Sequence, residues 1–373
     1  MDDLDALVLE MNAGAATPTT GGEHTRLHDW LAAAVARDAS DLLLVAGAPP
    51  SARVHGIVVP LTDGPLGGEE IEDAVLPALP AHARRHYREI GIADASVRTA
   101  DGTRFRTNLH RERGRPAAAI RRLPSTVPAL STLGLPAAVE GLTRLARGLV
   151  IVGGPTGSGK TTTLAALVHE INRRDQRHIV TIEDPIEYEH RHERSVIEQI
   201  EIGVDAPDFP TALRAALRQA PDVIVVGEMR DPETMRIALA AGETGHLVLT
   251  SLHTTDAASS VARIADSFPV ERQNTIRQEI SMALSALMMQ TLMPRVGGGR
   301  VPAAELLMVS YGARQHIRKN ALQHLHQEIT ITRKHGSYTL EESLADLVRR
   351  GLVEKADAIA RAQHPEELDR LLT

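Results

Sequence analysis

The chain has 373 residues, enough for two domains, and its 43% hydrophobic and 24% charged residues are typical of a folded globular protein. A net charge of −7 and only 2% aromatic residues argue against a nucleic-acid binder, because such proteins use basic surfaces and aromatic stacking. The absence of cysteine excludes thiolate zinc sites and iron–sulfur clusters and is typical of a reducing cytoplasm. With no signal-peptide pattern and no apolar run of membrane-spanning length, we expect a cytoplasmic location.

The first part of the chain predicts a loose leader followed by a small α+β domain. Residues 1–23 form the expected leader, because the stretch from Asn12 to Gly22 is rich in glycine, alanine and threonine. The domain covers residues 24–122, and the proline-containing segment 123–136 is the expected linker. Its predicted elements are a helix at 27–37, strands at 41–45, 52–55 and 104–108, and a helical stretch at 71–90.

The second part of the chain, residues 137–373, predicts an α/β domain. Apolar strands alternate with helical stretches, which is typical of parallel βαβ units with helices on both faces of the sheet. The final stretch, residues 314–372, has mostly helical spacing. The predicted strands are 149–152, 179–182, 223–226 and 247–251.

Between the first of these strands and the helix predicted after it lies the sequence GPTGSGKT, residues Gly154 to Thr161. It fits the phosphate-loop pattern G-x-x-x-x-G-K-[ST] in the required strand–loop–helix context. Glycines let backbone N–H groups turn toward phosphate oxygens at the positive end of a helix. Lys160 is expected to reach the β- and γ-phosphates of ATP, and the Thr161 hydroxyl is expected to hold Mg²⁺. The predicted nucleotide-binding residues are Gly154, Pro155, Thr156, Gly157, Ser158, Gly159, Lys160, Thr161 and Thr162.

Two groups of carboxylates follow strands of the second domain, at the edge where open α/β sheets bind ligands. Glu228 ends the strand 223–226 and is a candidate for holding Mg²⁺ or the attacking water. Glu183, Asp184 and Glu187 form the other group. Acidic residues at strand ends are also common on ordinary surfaces, so a purely structural role remains an alternative for both groups.

Histidines and arginines supply further candidates. His246 opens the strand 247–251 and His253 follows it, and a side chain at the end of a central strand can sense a γ-phosphate. A lone histidine is nevertheless more often structural. The first domain carries an arginine cluster, in which the period of two places Arg104 and Arg106 on one face of a strand. This cluster is compatible with a solvated basic face, a nucleic-acid patch or contacts to a phosphate bound by a neighbouring subunit.

Four motifs in order resemble the secretion ATPases of type II secretion and type IV pili, and in particular the PilT-like retraction branch. They are the phosphate loop, the stretch 181–187, the stretch 220–230, and the segment that runs from Thr244 through Thr255. The resemblance extends over nearly the whole chain from about Leu27. It implies an α/β protein with a PAS-like N-terminal α+β domain, a RecA-like ATPase domain and a helical C-terminal region.

The resemblance also implies roles for individual residues. Glu187 matches the catalytic acid of the family's Asp box, and Glu228 matches the acid of the Walker B strand. His246 and His253 match the His box. Arg106, Arg113 and Arg121 match arginines of the N-terminal domain that stabilise charge on the γ-phosphate, which favours the third interpretation of the arginine cluster.

As a whole, the resemblance implies a cytoplasmic homohexamer that hydrolyses ATP with Mg²⁺ and acts on pilin indirectly, through a platform protein of the inner membrane. Because the chain has no cysteine, it lacks the tetracysteine zinc motif of assembly and secretion ATPases, which favours retraction. One helix motif of the retraction branch is matched at Arg314, Ile317 and Arg318, but its final acid is Lys319 here. A pilus assembly or type II secretion ATPase and a nucleic-acid motor remain the alternatives.

Overall fold

The structure, a computed structural model, describes residues 26–373, so the expected leader 1–23 lies outside the described residues. The chain divides into two compact units. The first contains the described residues up to Thr126 together with Glu187–Glu189, and the second contains Val127–Ile186 and His190–Thr373. The domain boundaries predicted from the sequence stay a proposal.

The first unit is built on a six-stranded sheet in which every pair of neighbouring strands is antiparallel, in the order β3-β2-β1-β6-β5-β4. The helices α1 to α3 contribute to one hydrophobic core with the sheet, in which Trp30, Ile71 and Tyr87 are buried. The elements are α1 (Arg26–Ala36), β1 (Asp41–Val45), β2 (Ser51–Val54), β3 (Ile57–Pro60), α2 (Gly68–Val75), α3 (Ala81–Ile90), β4 (Ala93–Arg98), β5 (Arg104–Glu112) and β6 (Arg115–Arg122).

The helical stretch predicted at 71–90 is two helices rather than one. A short 3₁₀ helix, Leu76–Ala78, separates α2 from α3. Pro77 lies in its first turn, and Pro80 is the N-cap residue of α3. Since proline has no backbone N–H and restricts the residue before it, two prolines spaced this closely end one helix and begin the next.

Strand β5 shows the alternation that its sequence predicts. Phe105, Thr107 and Leu109 are buried, whereas Arg106 and Asn108 are half-exposed on the other face. Arg104 departs from the pattern because its side chain is only 9% exposed. Its Nε lies 3.1 Å from Glu189 Oε1, within the same unit, and this ion pair compensates part of the cost of burying the guanidinium.

The second unit is built on a seven-stranded sheet in the order β13-β12-β7-β11-β10-β8-β9, parallel except for the β12–β13 pair. Its core strands and the helix after the phosphate loop follow the prediction closely, while β9, β12 and β13 were not predicted. The elements are β7 (Gly148–Gly153), α4 (Lys160–Arg174), β8 (His178–Glu183), β9 (Val196–Glu201), α5 (Phe209–Ala216), β10 (Val223–Val226), α6 (Pro232–Glu243), β11 (Leu247–Leu252), α7 (Ala257–Asp266), α8 (Val270–Ala283), β12 (Leu284–Pro294), β13 (Arg300–Met308), α9 (Tyr311–Arg318), α10 (Leu325–Ile331), α11 (Leu340–Arg349), α12 (Lys355–Arg361) and α13 (Pro365–Leu372).

The three central strands are apolar because helices cover both of their faces. Every residue of β7, β10 and β11 is buried. One face of the sheet packs on α5 to α8 and the other on α4, in two separate hydrophobic clusters. None of the helices within residues 26–373 has the combined length and apolarity that a membrane crossing requires.

Part of the segment 123–136, which the sequence predicts as a linker, packs onto the second unit. Leu130 begins a short 3₁₀ helix and is 7% exposed, within the hydrophobic cluster on the α4 face of the sheet. The boundary between the two units falls inside the segment, after Thr126.

Two arginines of α9 bind the C-terminal end of α8. Arg314 Nη1 donates hydrogen bonds to the carbonyl of Met282, at 2.9 Å, and to that of Ser281. Arg318 Nε donates to Ser281 Oγ at 2.8 Å. A helix leaves its last carbonyls without partners inside the helix, and cations are favoured there. These arginines therefore stabilise the turn from α8 into β12, and Lys319 is the C-cap residue of α9.

Helix α6 approaches the central strand β7 closely because Gly242 has no side chain. A Cβ atom at Gly242 would lie 3.1 Å from the Leu149 amide nitrogen and 3.2 Å from the Gly148 carbonyl carbon. Both contacts are tight, and both neighbours are backbone atoms of a fully buried strand. We conclude that the residue size at this position fixes the spacing between helix and sheet.

We predict that Gly242→Ala lowers the free energy of unfolding by about 1–3 kcal/mol, because overpacking outweighs the gain in helix propensity. Gly141→Ala is the matched control, since a Cβ there meets nothing within 4 Å. Chemical denaturation of the two variants measures the difference. An equal or higher stability of Gly242→Ala would contradict the packing argument.

Candidate nucleotide-binding site

The parallel sheet register brings several predicted site residues to one edge. Gly153 of β7 pairs with Leu252 of β11, and Val226 of β10 pairs with Thr250. The segments that follow these strands therefore begin side by side at the carboxyl edge of the sheet. They are the phosphate loop after β7, His253 after β11 and Glu228 after β10.

The phosphate loop connects β7 to α4, and its first and last glycines are sterically required. Gly154 has a φ of 149°, and a Cβ there would lie 2.2 Å from the backbone oxygen of Gln290. Gly159, the N-cap residue of α4, has a φ of 89°. A larger residue at either position would clash or be strained. The loop consequently turns tightly into the N-terminus of a 15-residue helix, where the helix dipole favours an anion.

Lys160 is largely buried at the start of α4, with 7% of its surface exposed. Its ammonium donates to the carbonyls of Gly154 at 2.9 Å and Pro155 at 3.0 Å. It also lies 3.4 Å from His253 Nδ1. The charge is thus held inside the curve of the loop, which is the position from which a lysine can meet phosphate oxygens.

His253 and Glu228 form a group of polar side chains with Lys160 at the carboxyl edge of the sheet. His253 Nε2 lies 3.7 Å from one carboxylate oxygen of Glu228, and Arg230 Nη2 lies 2.6 Å from the other. Glu228 is well buried, with 16% of its side chain exposed, whereas half of the His253 side chain is exposed. A continuous series of side-chain contacts therefore links the phosphate loop to the end of β10. It runs from Lys160 to His253, then to Glu228 and Arg230.

Burial lowers the pKa of His253 below its ordinary value, and the positive charge of Lys160 lowers it further. The carboxylate of Glu228 acts in the opposite direction, but the net shift is downward. The neutral imidazole is therefore favoured at pH 7. A neutral ring can accept a hydrogen bond from Lys160 at Nδ1 while its Nε2–H faces Glu228.

Three residues of this region were not predicted from the sequence. Gln290 on β12 is 5% exposed and bonds to the phosphate loop and to α4. Ser251 Oγ donates to the Gly227 carbonyl at 2.6 Å and ties β11 to the segment before Glu228. Arg230 pairs with Glu228. For Arg230 the proximity to Glu228 in sequence was an available signal, whereas Gln290 lies 130 positions from Lys160 and no local pattern indicates it.

The structure places His246 away from this group. It precedes β11, and the first residue of that strand, Leu247, pairs with Gly148 at the start of β7. His246 therefore lies at the amino edge of the sheet, on the order of 20 Å along the strand from His253. Its Nδ1 lies 3.1 Å from the Ala241 carbonyl of α6. The structure thus brings only one of the two predicted histidines to the phosphate loop of the same chain.

Glu187 and the three predicted arginines belong to the first unit. The backbone carbonyl of Glu187 accepts a hydrogen bond from Arg104 Nη1 at 3.4 Å. Arg106 Nε lies 4.0 Å from Asp94, and Arg113 is 83% exposed beside Glu112.

Arg121 is held more firmly than Arg106 or Arg113. Its Nε donates to Asp41 at 2.9 Å. Although burial by itself raises the pKa of Asp41, hydrogen bonds from Ser40 and Arg121 and the charges of Arg121 and Arg53 lower it overall. Because their ion pairs are longer or more exposed, Arg106 and Arg113 are freer to bind an added anion.

The donors at the sheet edge fit a nucleotide. Ser158 Oγ is buried and has no hydrogen-bond partner, which leaves a polar atom of the loop available to a ligand. Lys160 supplies a cation and α4 supplies a helix N-terminus, and Glu228 supplies a carboxylate. Among residues 26–373, no group of three or more histidines or carboxylates could hold a metal by itself.

Comparison with known proteins identifies the family. The family model described as "Type II/IV secretion system protein" matches residues 116–367. The chain is 39% identical over 338 residues to the type IV pilus retraction ATPase PilT of Pseudomonas aeruginosa, covering 91% of this chain and 98% of that protein. It is 40% identical to a twitching motility protein of Neisseria gonorrhoeae, over 87% of each chain. The chain belongs to the type II/IV secretion ATPase family.

A solved structure of the pilus retraction motor PilT with bound ADP matches this fold with a TM-score of 0.85 and 41% identity, over 93% of this chain and all of that one. The predicted α/β fold, with an N-terminal domain followed by a RecA-like ATPase domain, is confirmed. The chain is a PilT-like ATPase, as predicted.

We predict opposite pKa changes of His253 in two variants. Lys160→Met should raise the pKa of His253, because it removes a nearby positive charge, and Glu228→Gln should lower it, because it removes the neighbouring carboxylate. NMR titration of ¹³C-labelled histidine measures both, with the wild type as reference. Shifts of the same sign in both variants would contradict the arrangement described here.

Proposed function

We propose that this chain powers retraction of type IV pili by hydrolysing ATP at the phosphate loop. The observation that carries the proposal is the group formed by Lys160, His253 and Glu228 beside a helix N-terminus, in a chain that matches PilT over nearly its whole length. The similar proteins named for pilus retraction and twitching motility supply the cellular process.

The proposed nucleotide site comprises residues 154–162. Their backbone N–H groups and the Lys160 ammonium would bind the phosphates, and the Thr161 hydroxyl together with Glu228 would hold Mg²⁺. When bound, Mg²⁺ neutralises charge that develops between the β- and γ-phosphates. Glu228 would orient the attacking water, and His253 would relay the state of the γ-phosphate to the end of β11. The pairing of Glu228 with Arg230 would have to loosen for this role.

The remaining site residues are proposed from the family resemblance. Glu187 would act as the general base that accepts a proton from water during hydrolysis. Arg106, Arg113 and Arg121 would approach the γ-phosphate held by a neighbouring subunit, since arginine is suited to stabilising that charge. A role for His246 would require contact with a neighbouring copy, because it lies at the opposite sheet edge from the phosphate loop of its own chain.

We further propose that the working assembly is a homohexamer at the cytoplasmic face of the inner membrane. In this arrangement the ring contacts a platform protein of the membrane, and its effect on pilin is indirect. Nucleic acid is not a proposed partner, because the chain carries a net charge of −7 and few aromatic residues.

Deletion of the gene tests the cellular role. We expect excess pili that do not retract, and we expect the wild-type gene to restore twitching. A gene with Lys160→Ala should not restore it, because the variant lacks the cation that meets the β/γ-phosphates and should release no phosphate in a purified assay. Loss of pili in the deletion strain would instead indicate assembly, and full twitching with Lys160→Ala would contradict the site.

Mixed rings test whether arginines act across a subunit boundary. Arg106→Ala alone should reduce turnover by about 10³–10⁵-fold if it removes an arginine that contacts the transition state. Combining Arg106→Ala subunits with Lys160→Ala subunits should restore part of the activity, because some interfaces then join an intact arginine to an intact phosphate loop. If mixing is confirmed by mass spectrometry and no activity returns, the shared site is ruled out.

A further inference from the structure

Gln290, on the carboxyl-terminal part of β12, contacts the phosphate loop from behind. Its Nε2 donates a hydrogen bond to the Ser158 carbonyl at 2.7 Å. Its Oε1 accepts one from Thr163 Oγ1 on α4, also at 2.7 Å. The side chain therefore bridges the last part of the loop and the first turn of the helix, and it is only 5% exposed.

The bond to Ser158 has a consequence for the next backbone donor. The peptide unit between Ser158 and Gly159 is planar and trans, so its C=O and N–H point in opposite directions. Fixing the Ser158 carbonyl toward Gln290 fixes the Gly159 N–H away from β12. Backbone N–H groups of such a loop are the groups that bind phosphate, so a glutamine outside the loop sets the direction of one of them.

The amide of Gln290 is itself held in one orientation. Its NH₂ group faces a carbonyl oxygen, which can only accept, so its oxygen must face the Thr163 hydroxyl. Thr163 is fully buried, with 0% exposure, and its β-branched side chain has few rotamers available in a helix. If the amide were flipped, its oxygen would face the Ser158 carbonyl oxygen, and two hydrogen-bond acceptors would lie together.

The backbone around Gln290 also supports the loop at its other end. A Cβ at Gly154 would lie only 2.2 Å from the Gln290 carbonyl oxygen, and the side chain of the neighbouring Met289 lies against Gly153. Met289 Sδ accepts a hydrogen bond from Ser260 at 3.5 Å. The end of β12 consequently contacts the phosphate loop near both its first and its last residues.

We propose that Gln290 is a positioning residue for nucleotide binding, which orients the Ser158–Gly159 peptide of the phosphate loop through its paired hydrogen bonds to Ser158 and Thr163. The inference rests on the proposed nucleotide site at residues 154–162. Gln290 acts through the loop backbone rather than on the nucleotide itself, so its removal should weaken binding of both ADP and ATP and raise KM more than it lowers kcat.

The decisive variant is Gln290→Glu, studied in the full chain. Below its pKa the new carboxyl keeps both contacts, because its O–H donates to the Ser158 carbonyl and its C=O accepts from Thr163. Once ionised it has no donor and faces a carbonyl oxygen, and burial together with that oxygen should raise its pKa toward neutrality. We expect ADP affinity within about threefold of the wild type at pH 6 and about tenfold weaker or worse at pH 8.5.

Calorimetric titration with ADP in the presence of Mg²⁺ measures the ratio of the variant's ADP affinity to that of the wild type at each pH. Gln273→Glu is the matched control, because Gln273 lies on α8 and bonds to the Phe268 carbonyl and Arg277 rather than to the loop. The control should keep a pH-independent ratio to the wild type. A pH-independent ratio for Gln290→Glu as well would overturn the proposal.

Variants of Thr163 provide a second measurement that does not alter Gln290. Thr163→Val removes the hydroxyl and should weaken ADP binding several-fold, whereas Thr163→Ser retains it and should restore most of the affinity. Equal affinity in both variants would count against the inference.

The variant Lys160→Ala distinguishes failure of the positioning role of Gln290 from failure of the proposed nucleotide site. If Lys160→Ala abolishes ADP binding while the Gln290 and Thr163 variants bind normally, the nucleotide site stands and the positioning role fails. If Lys160→Ala also binds normally, the site itself is wrong.

Discussion

Parallel hydrogen bonding between β7, β11, β10 and β8 is the constraint on which the site depends. The register aligns the carboxyl ends of these strands, so residues separated by about a hundred positions in sequence lie next to one another. A change of register by one residue would turn every side chain of a strand to the opposite face of the sheet. Lys160, Glu228 and His253 can therefore form one polar group only if the apolar strands behind them pair correctly.

A second layer of support comes from strand β12. It pairs with β7 and extends past it to contact the phosphate loop, while its own partner β13 packs on the C-terminal helices. The loop is thus held from behind by backbone and buried side chains rather than by solvent-exposed contacts. This matters because backbone amides bind phosphate well only when they are oriented before the ligand arrives.

The sequence predicted those parts of the fold that carry a local signal. The central strands of the second unit are largely apolar runs, so β10 was predicted at its observed bounds, Val223–Val226. β12 and β13 were not predicted, because their mixture of alanine, methionine and leucine resembles a helix as much as a strand. The helical stretch at 71–90 was predicted as continuous although Pro77 and Pro80 interrupt it.

For the site, the phosphate loop and Glu228 were recognisable because each has a fixed local pattern. Gln290 could not be recognised in this way, since its function depends on a tertiary contact with Ser158 and Thr163. His246 and His253 were proposed together from the family resemblance, although they flank one strand and the two ends of a strand lie at opposite edges of a sheet. The pairing of β11 with β7 shows that His253 lies at the phosphate loop and His246 at the far edge.

The C-cap residue of α9, Lys319, places a positive charge on the surface of the molecule. Lys319 is exposed at the end of a helix whose two arginines are occupied with the carbonyls and hydroxyl at the end of α8. A basic residue there complements the helix dipole, so the exchange of the family's acid for lysine is favourable locally. If the subunit assembles into the proposed ring, each copy presents this lysine at the same place on its surface. An acidic surface would complement the positive charge that is repeated there.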